Sequence, residues 1–191
     1  IHLGLAVDVE RKDGTRGLVV PVLKHADTLN YAEFQAAYDG IVEQARTNKL
    51  MPDDFAGGTI TLTNPGGLGT VASVPRLMAG QGTIIAVGAI GYPPEFARST
   101  PETIAQLALS KVMTISSTYD HRIIQGAESG AFLRTVEQLL AGSEDFYQGM
   151  FSAFGLSREA GRQDGGIGRE TARTSSLQPA PATPPSSSDL D

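Results

Sequence analysis

Apolar residues change their spacing several times before position 156, and these changes predict a mixture of strands and helices. Leu3, Leu5 and Val7 recur at every second position, and a continuous apolar run at 17–23 follows the Asp-Gly-Thr turn at 13–15. Two such strands joined by a turn predict a β-hairpin. Further strands are predicted at 58–63, 83–90 and 111–119.

Two segments have helical spacing. The first covers residues 31–46, with Asn30 as its N-cap and Glu33 as the capping-box partner. The second covers residues 126–140. The apolar faces are predicted to consist of Phe34, Tyr38, Ile41, Val42 and Ala45 in the first helix and Phe132, Val136, Leu139 and Leu140 in the second. Mixed strands separated by helices indicate an α/β or α+β fold whose sheet is covered on at least one face.

The last part of the chain differs in composition. Residues 156–191 contain 4 Gly, 4 Pro and 6 Ser and no aromatic residue. Such a segment buries too little apolar area to offset its conformational entropy. We therefore predict one folded domain over residues 1–155 and a disordered linker over 156–191.

Charge and cysteine content remove several classes of function. The net charge of −6 disfavours nucleic acid as a partner, because binding to phosphates needs a basic surface. The absence of Cys excludes disulfide scaffolds, zinc-thiolate sites, iron–sulfur clusters and a cysteine nucleophile, and it fits a cytoplasmic protein. No apolar run reaches the ~18 residues of a membrane span. The chain starts without Met, so we expect it to be a piece of a longer protein.

Of the three histidines, His121 has the position best suited to chemistry. It lies between a predicted strand and a predicted helix, where turns project side chains into clefts, and imidazole transfers protons near neutral pH. His2 and His25 are interpreted as solvated side chains. On position alone, His121 fits either a structural or a catalytic role. Asp120 and Arg122 are two positions apart, so they are expected to pair with each other.

The residues around His121 carry a family resemblance. Residues 120–127, D-H-R-I-I-Q-G-A, resemble the D-H-R-x-x-D-G-A signature of the 2-oxoacid dehydrogenase acyltransferases, the dihydrolipoamide acyltransferase family. Further segments resemble the family in the same order, and together they cover residues 1 to about 150. These segments are 3–8, 17–22, 45–50 and 58–67. The resemblance implies a chloramphenicol acetyltransferase-like mixed sheet flanked by helices and lacking the N-terminal segment of the family, that is, N-terminally truncated.

The departure from the signature at Gln125, where the family has Asp, narrows the resemblance. With Gln125 at this position, residues 75–85 and 111–127 are most similar to the acyltransferase domain of multifunctional proteins that also contain a 2-oxoglutarate decarboxylase. That resemblance implies succinyl transfer between dihydrolipoamide and coenzyme A, within the tricarboxylic acid cycle. Coenzyme A and lipoamide are then substrates, and thiamine diphosphate and magnesium belong only to the fused partner domain. No metal site is expected in this chain.

The resemblance also implies roles for individual residues. His121 is the general base for a substrate thiol, and Thr63 donates its hydroxyl to the oxyanion, although Thr63 also fits an ordinary strand position. Gln125 helps to shape the site, with a backbone carbonyl expected to orient the His121 ring. Asn64, Gly66 and Gly67 are expected either to approach the pantetheine arm or to form a turn that needs glycine.

In the family, base and hydroxyl come from neighbouring chains of a trimer. The expected partners are therefore further copies of the chain, a lipoyl-bearing domain, a 2-oxoglutarate decarboxylase domain and dihydrolipoamide dehydrogenase. Two alternatives stay open: a standalone acyltransferase core for another acyl group, and a trimeric scaffold without catalytic activity.

Overall fold

Seven strands and four α-helices form the part of the chain that the structure describes. The computed structural model describes residues 1–10 and 13–156. The strands are β1 (Leu3–Leu5), β2 (Val7–Glu10), β3 (Arg16–Val19), β4 (Val22–Leu23), β5 (Ile60–Thr63), β6 (Thr83–Val87) and β7 (Ile115–Tyr119). The α-helices are α1 (Tyr31–Arg46), α2 (Pro101–Gln106), α3 (Gly126–Leu140) and α4 (Phe146–Ala153), and several 3₁₀ turns connect them.

The central sheet has five strands in the order β4-β1-β5-β6-β7. β1, β5 and β6 run parallel, and the outer strands β4 and β7 run antiparallel to their neighbours. The predicted mixed sheet is confirmed. Its register places Ile60, Thr83 and Tyr119 in one row across the sheet, whereas Thr63 and Ala86 belong to a row three residues further along.

The predicted N-terminal hairpin is present but divided between two sheets. β1 pairs with β4 in the central sheet, and β2 pairs with β3 in a separate two-stranded sheet. The division occurs where Ala6 turns away and donates its N–H to the carbonyl of Leu62. Pro21 lies opposite this point and has no N–H with which to continue the ladder.

Helix α1 has the predicted bounds, and its start is stabilised as predicted. The Asn30 side chain accepts a hydrogen bond from the Glu33 N–H (3.0 Å), and the Glu33 carboxylate accepts one from the Asn30 N–H (2.9 Å). This reciprocal pair satisfies two N–H groups that a helix start otherwise leaves free. The apolar face of α1 packs on a core of buried residues, which are Leu5, Val7, Leu23 and Ala45.

Helix α3 also has the predicted bounds, but the predicted apolar face was partly wrong. Phe132 and Leu140 are 43% and 42% exposed in this chain. Ser129 is buried, and Leu133 and Val136 are half-buried. These residues are spaced by four and three positions, so they follow one helical stripe, and Phe132 lies one position away from it.

The other strands are shorter than predicted, and two helices were not predicted. β6 ends at Val87 instead of Ile90 because another segment crosses the chain there: a Cβ atom on Gly88 would lie 1.9 Å from the Val71 carbonyl oxygen. β5 and β7 begin later than predicted, and α2 and α4 are additional. The predicted linker, apart from Leu156, lies outside the described residues, so the division at 155 stays a prediction. Among the described helices, none is long and apolar enough to cross a membrane.

Candidate active site

His121 lies in the tight turn that connects β7 to α3. The Asp120 carbonyl accepts hydrogen bonds from the N–H groups of Ile123 and Ile124, both at 3.0 Å, which closes the turn. The His121 side chain is exposed, and its ring centroid lies 5.6 Å from that of Tyr119. The turn therefore presents the imidazole at the end of the sheet, where a substrate can reach it.

The predicted pair of Asp120 and Arg122 is confirmed and stabilises the same turn. The Asp120 carboxylate accepts hydrogen bonds from the backbone N–H of Arg122 (3.0 Å) and from its guanidinium, at Nε (2.9 Å) and Nη2 (2.5 Å). The Arg122 hydrogen bonds lower the pKa of Asp120 to about 2, and the same contact raises the pKa of Arg122. The carboxylate is thus charged at neutral pH and is engaged by its neighbour Arg122.

Gln125 is the N-cap of α3, four positions after His121. Its backbone N–H donates to the Glu128 carboxylate at 2.7 Å, and its carbonyl accepts from the Glu128 N–H at 3.0 Å. The Gln125 side chain makes no capping hydrogen bond and is exposed. The backbone of Gln125 is therefore held in place, whereas its side-chain amide is exposed to solvent.

The expected hydrogen bond between the His121 ring and a backbone carbonyl does not form. No residue in the described ranges 1–10 and 13–156 accepts a hydrogen bond from this imidazole. The physical reason is the turn itself, because the Asp120 carbonyl, which lies next to the histidine, already accepts the two N–H groups that close it. The imidazole instead contacts the ring of Tyr119.

Thr63 is the last residue of β5 and lines a cleft of about 610 Å³. The cleft lies between the end of the central sheet, the β2–β3 sheet and α1, which contributes Arg46. Arg16 also lines it and forms an ion pair with Asp8. A hydroxyl at the wall of an open cleft can donate a hydrogen bond to a substrate oxygen, as an oxyanion donor must.

The glycine-rich segment after Thr63 needs glycine at one position and lines the cleft at others. A Cβ atom on Gly66 would lie 2.3 Å from the Gly88 carbonyl carbon, so glycine is required there by a crossing of two backbones. Asn64 and Gly67 line the cleft beside Thr63, and nothing lies within 4 Å of a Cβ atom built on Gly67. Backbone packing therefore explains why residue 66 is glycine, whereas Asn64 and Gly67 line an open cleft that is large enough for a substrate.

The structure places Thr63 and His121 at opposite ends of the central sheet. Thr63 pairs with Ala86, and Thr83, three residues earlier in β6, pairs with Tyr119. Three residues span about 10 Å along a strand, and His121 lies two residues beyond Tyr119. The Thr63 cleft is not lined by His121. One chain therefore does not bring the two proposed reacting groups together.

Two polar residues that the sequence-based prediction did not include lie near the histidine turn. Thr61 is fully buried, Gln81 is 9% exposed, and the Thr61 hydroxyl donates a 2.6 Å hydrogen bond to Gln81 Oε1. The available signal was a glutamine between two glycines, directly before an apolar strand. Among the described residues, no group of His, Asp and Glu side chains has an arrangement that could hold a metal ion.

Comparison with protein families decides the class of this domain. The family described as 2-oxoacid dehydrogenases acyltransferase (catalytic domain) matches residues 1–147. The chain belongs to this acyltransferase family. The resemblance carried by the histidine turn is thereby confirmed.

Relatives of the acyltransferase domain include very long proteins. The multifunctional 2-oxoglutarate metabolism enzyme of Mycobacterium sp. (strain JLS) is 58% identical over 158 residues, which are 83% of this chain and 12% of the relative. The enzyme of the same name from Mycolicibacterium vanbaalenii is 55% identical over 158 residues, which are 83% of this chain and 13% of that protein. The chain thus spans about one eighth of the length of these relatives.

Solved acyltransferase cores share the fold. The cubic core of the pyruvate dehydrogenase multienzyme complex has a TM-score of 0.60 at 28% identity, covering 77% of this chain and 56% of that one. A truncated catalytic core from Thermoplasma acidophilum has a TM-score of 0.60 at 29% identity, covering 75% and 58%. Dihydrolipoamide acetyltransferase of Azotobacter vinelandii has a TM-score of 0.58 at 28% identity, covering 77% and 56%. The expected fold class is confirmed by these cores.

Proposed function

We propose that the acyltransferase domain transfers a succinyl group between dihydrolipoamide and coenzyme A in a 2-oxoglutarate dehydrogenase-type system. The observation that carries the proposal is the 58% identity, over 83% of this chain, to an enzyme of 2-oxoglutarate metabolism. Removal of CO₂ from 2-oxoglutarate leaves a four-carbon acyl group with a terminal carboxylate, which is succinyl. The family match supplies the transferase chemistry.

The chemistry needs a base and a donor, and no protein nucleophile. A thiol with a pKa near 8.5 gives its proton to a neutral imidazole with a pKa near 6.5 when the two are in contact. The thiolate of coenzyme A then attacks the thioester carbonyl, and the Thr63 hydroxyl donates to the oxyanion. When the tetrahedral intermediate collapses, the carbon–sulfur bond to dihydrolipoamide breaks, and the imidazolium of His121 returns the proton to the leaving thiolate.

The positions of the three proposed residues have a counterpart in a related enzyme. The Azotobacter vinelandii acetyltransferase study concerns the catalytic roles of a serine, a histidine and an asparagine, with the asparagine four positions after the histidine. Here Gln125, also a carboxamide, stands four positions after His121, and Thr63 supplies a hydroxyl earlier in the chain. This correspondence supports the proposed roles of His121 as base, Thr63 as hydrogen-bond donor and Gln125 as polar positioning group. Asn64 and Gly67 are proposed to face the substrate arm in the Thr63 cleft.

The proposed active site lies between two chains of a homotrimer. Its support is the separation of Thr63 and His121 across the sheet, because transfer needs both at one carbonyl. Structural neighbours that are cores of multienzyme complexes accord with oligomeric assembly. We extend the proposal to a cytoplasmic tricarboxylic acid cycle enzyme that works with a lipoyl-bearing domain, a thiamine diphosphate- and magnesium-dependent 2-oxoglutarate decarboxylase domain, and dihydrolipoamide dehydrogenase.

The test compares acyl groups on the full-length protein that contains this domain. Coenzyme A is mixed with succinyl-dihydrolipoamide or acetyl-dihydrolipoamide, and formation of the acyl-coenzyme A product is followed. We expect kcat/KM for the succinyl compound to exceed that for the acetyl compound by at least about tenfold. A preference for the acetyl compound would contradict the succinyl proposal and support a core for another acyl group. Absence of transfer from either compound would support the scaffold.

A further inference from the structure

We propose that Gln81, through its buried hydrogen bond with Thr61, is a positioning residue for the general base His121. The inference rests on the proposed role of His121 and adds a residue that does not touch the substrate. The pair is connected to the imidazole through the backbone of residues 81 and 82.

The pair is built into the interior beside β5. Thr61 has no exposed surface and Gln81 is 9% exposed, and the hydroxyl donates to Gln81 Oε1 at 2.6 Å. The amide lies against Gly58, where an added Cβ atom would be 2.7 Å from Gln81 Nε2. A buried amide that loses its hydrogen-bond partner is strongly disfavoured, so the pair defines one position for residue 81.

The backbone next to Gln81 holds the histidine turn. The Gln81 N–H donates to the Met78 carbonyl at 3.2 Å, which closes the turn before β6. The following carbonyl, that of Gly82, accepts the Asp120 N–H at 2.9 Å. Asp120 directly precedes His121, so only one peptide unit separates this hydrogen bond from the base.

Packing at Gly82 makes the link stiff. A Cβ atom on Gly82 would lie 3.2 Å from the Ile123 side chain and 3.6 Å from that of Ile124, so the histidine turn sits directly on this glycine. A shift of residues 81 and 82 would therefore move both the hydrogen bond to Asp120 and the surface under the turn. Because proton transfer requires contact between base and thiol, a displacement of about 1 Å is enough to reduce the rate.

The experiment uses the full-length protein and variants that keep side-chain shape while removing the hydrogen bond. Gln81→Met and Thr61→Val are each expected to lower kcat about tenfold, while KM for coenzyme A changes less than about twofold. The double variant is expected to lose no more than either single variant, since both remove the same bond. Thr61→Ser keeps the hydroxyl and is expected to retain kcat within about twofold of wild type.

A matched control separates positioning from general destabilisation. Ile85→Val trims a buried residue of β6 that takes no part in this hydrogen bond, and it should lower Tm with kcat unchanged. The inference is overturned if kcat survives in Thr61→Val, if the double variant loses the product of the two single effects, or if Ile85→Val loses as much kcat at the same drop in Tm. If Gln81→Met does not fold, Thr61→Val and Thr61→Ser decide the same question.

Failure of the proposed function gives a different pattern. If His121→Ala keeps the wild-type rate, His121 is not the base and the proposed mechanism fails, whatever the Gln81 variants do. If His121→Ala is inactive while Gln81→Met and Thr61→Val are fully active, the mechanism stands and only the positioning inference is overturned.

Discussion

The two ends of the central sheet are built in different ways. At one end His121 sits in a turn that is closed by backbone hydrogen bonds and by the ion pair of Asp120 and Arg122. At the other end Thr63 opens onto a cleft of about 610 Å³ between separate elements. The histidine end is local in sequence and firmly held, whereas the threonine end is assembled from distant segments around open space.

This difference explains how one chain can contain both proposed reacting groups without bringing them together. The rigid end presents the proposed base, His121, and the open end presents the hydroxyl of Thr63 beside a cleft that we propose receives the substrate arm. Stacking the histidine end of one chain on the threonine end of another would complete the site.

Loss of the base should have the largest effect. His121→Ala in the full-length protein is expected to lower coenzyme A-dependent transfer by at least about 1,000-fold, because it removes the proposed acceptor of the thiol proton. Stopped-flow release of the dihydrolipoamide thiol measures the loss. His25→Asn is the matched control, since His25 is exposed in a turn with a φ of 56°, which Asn tolerates. Transfer by His121→Ala within tenfold of wild type would contradict its role.

Loss of the hydroxyl should come next. Thr63→Val keeps the side-chain shape and is expected to lower kcat about 100-fold, or about 3 kcal/mol, as removal of one oxyanion donor does. Thr63→Ser should remain close to wild type because it keeps the donor. Thr59→Val is the control: Thr59 directly precedes β5, and its replacement should change kcat less than twofold. An active Thr63→Val enzyme would leave the cleft without a catalytic role.

Gln125 should have an intermediate effect. Gln125→Ala is expected to reduce single-turnover thiol release roughly ten- to a hundredfold, because the neighbouring carboxamide no longer orients the reacting groups. Gln125→Asp should give no gain in rate. Gln138→Ala, a change of the same type at an exposed position of α3, serves as the control and should leave the rate unchanged. A strong gain in rate from Gln125→Asp would indicate that the site is a weakened version of the family's active site, and it would favour the scaffold without catalytic activity.

The ion pair of the histidine turn should give the smallest effect, and it is a pH effect on stability. Hydrogen bonds from Arg122 lower the pKa of Asp120 from 3.8 to about 2, so the folded state favours the charged carboxylate. Its stabilisation is present above pH 3.8 and is lost as the pH falls towards 2. Asp120→Asn should therefore lower Tm at pH 6, and the difference from wild type should vanish towards pH 2.

Thermal melts from pH 6 to pH 2 measure this difference. Arg122→Gln should reduce Tm with the same pH dependence, because it removes the partner of the same carboxylate. A gap between wild type and Asp120→Asn that stays constant down to pH 2 would show that the pair is not its cause.

The features that the sequence predicted correctly are those that depend on near neighbours. The Asp120–Arg122 pair spans two positions, and the capping box at Asn30 and Glu33 spans three, so each is decided by local geometry. The unpredicted α2 also had a local signal, a Thr100 N-cap followed by Pro101, which is typical of a helix start.

The features that were wrong or missing depend on contacts between distant residues. β6 stops at Val87 because Val71 crosses the chain at Gly88, and the Thr61–Gln81 hydrogen bond joins residues twenty positions apart. Likewise, the separation of Thr63 from His121 follows from strand register. Parallel strands are joined by long crossover connections, so no short turn specifies their register. The spacing of apolar residues identifies such strands, but it does not identify their neighbours in the sheet.

Mixed assembly of two inactive variants tests the division of the site most directly. Full-length His121→Ala and Thr63→Val chains are co-expressed with different tags, and oligomers that contain both are isolated. If base and hydroxyl come from different chains, each mixed trimer contains one intact site out of three, and the mixed oligomers regain about a third of wild-type activity. Oligomers of His121→Ala with the His121→Ala/Thr63→Val double variant should stay inactive. Mixed oligomers of the two single variants that are no more active than either parent would contradict a site shared between chains.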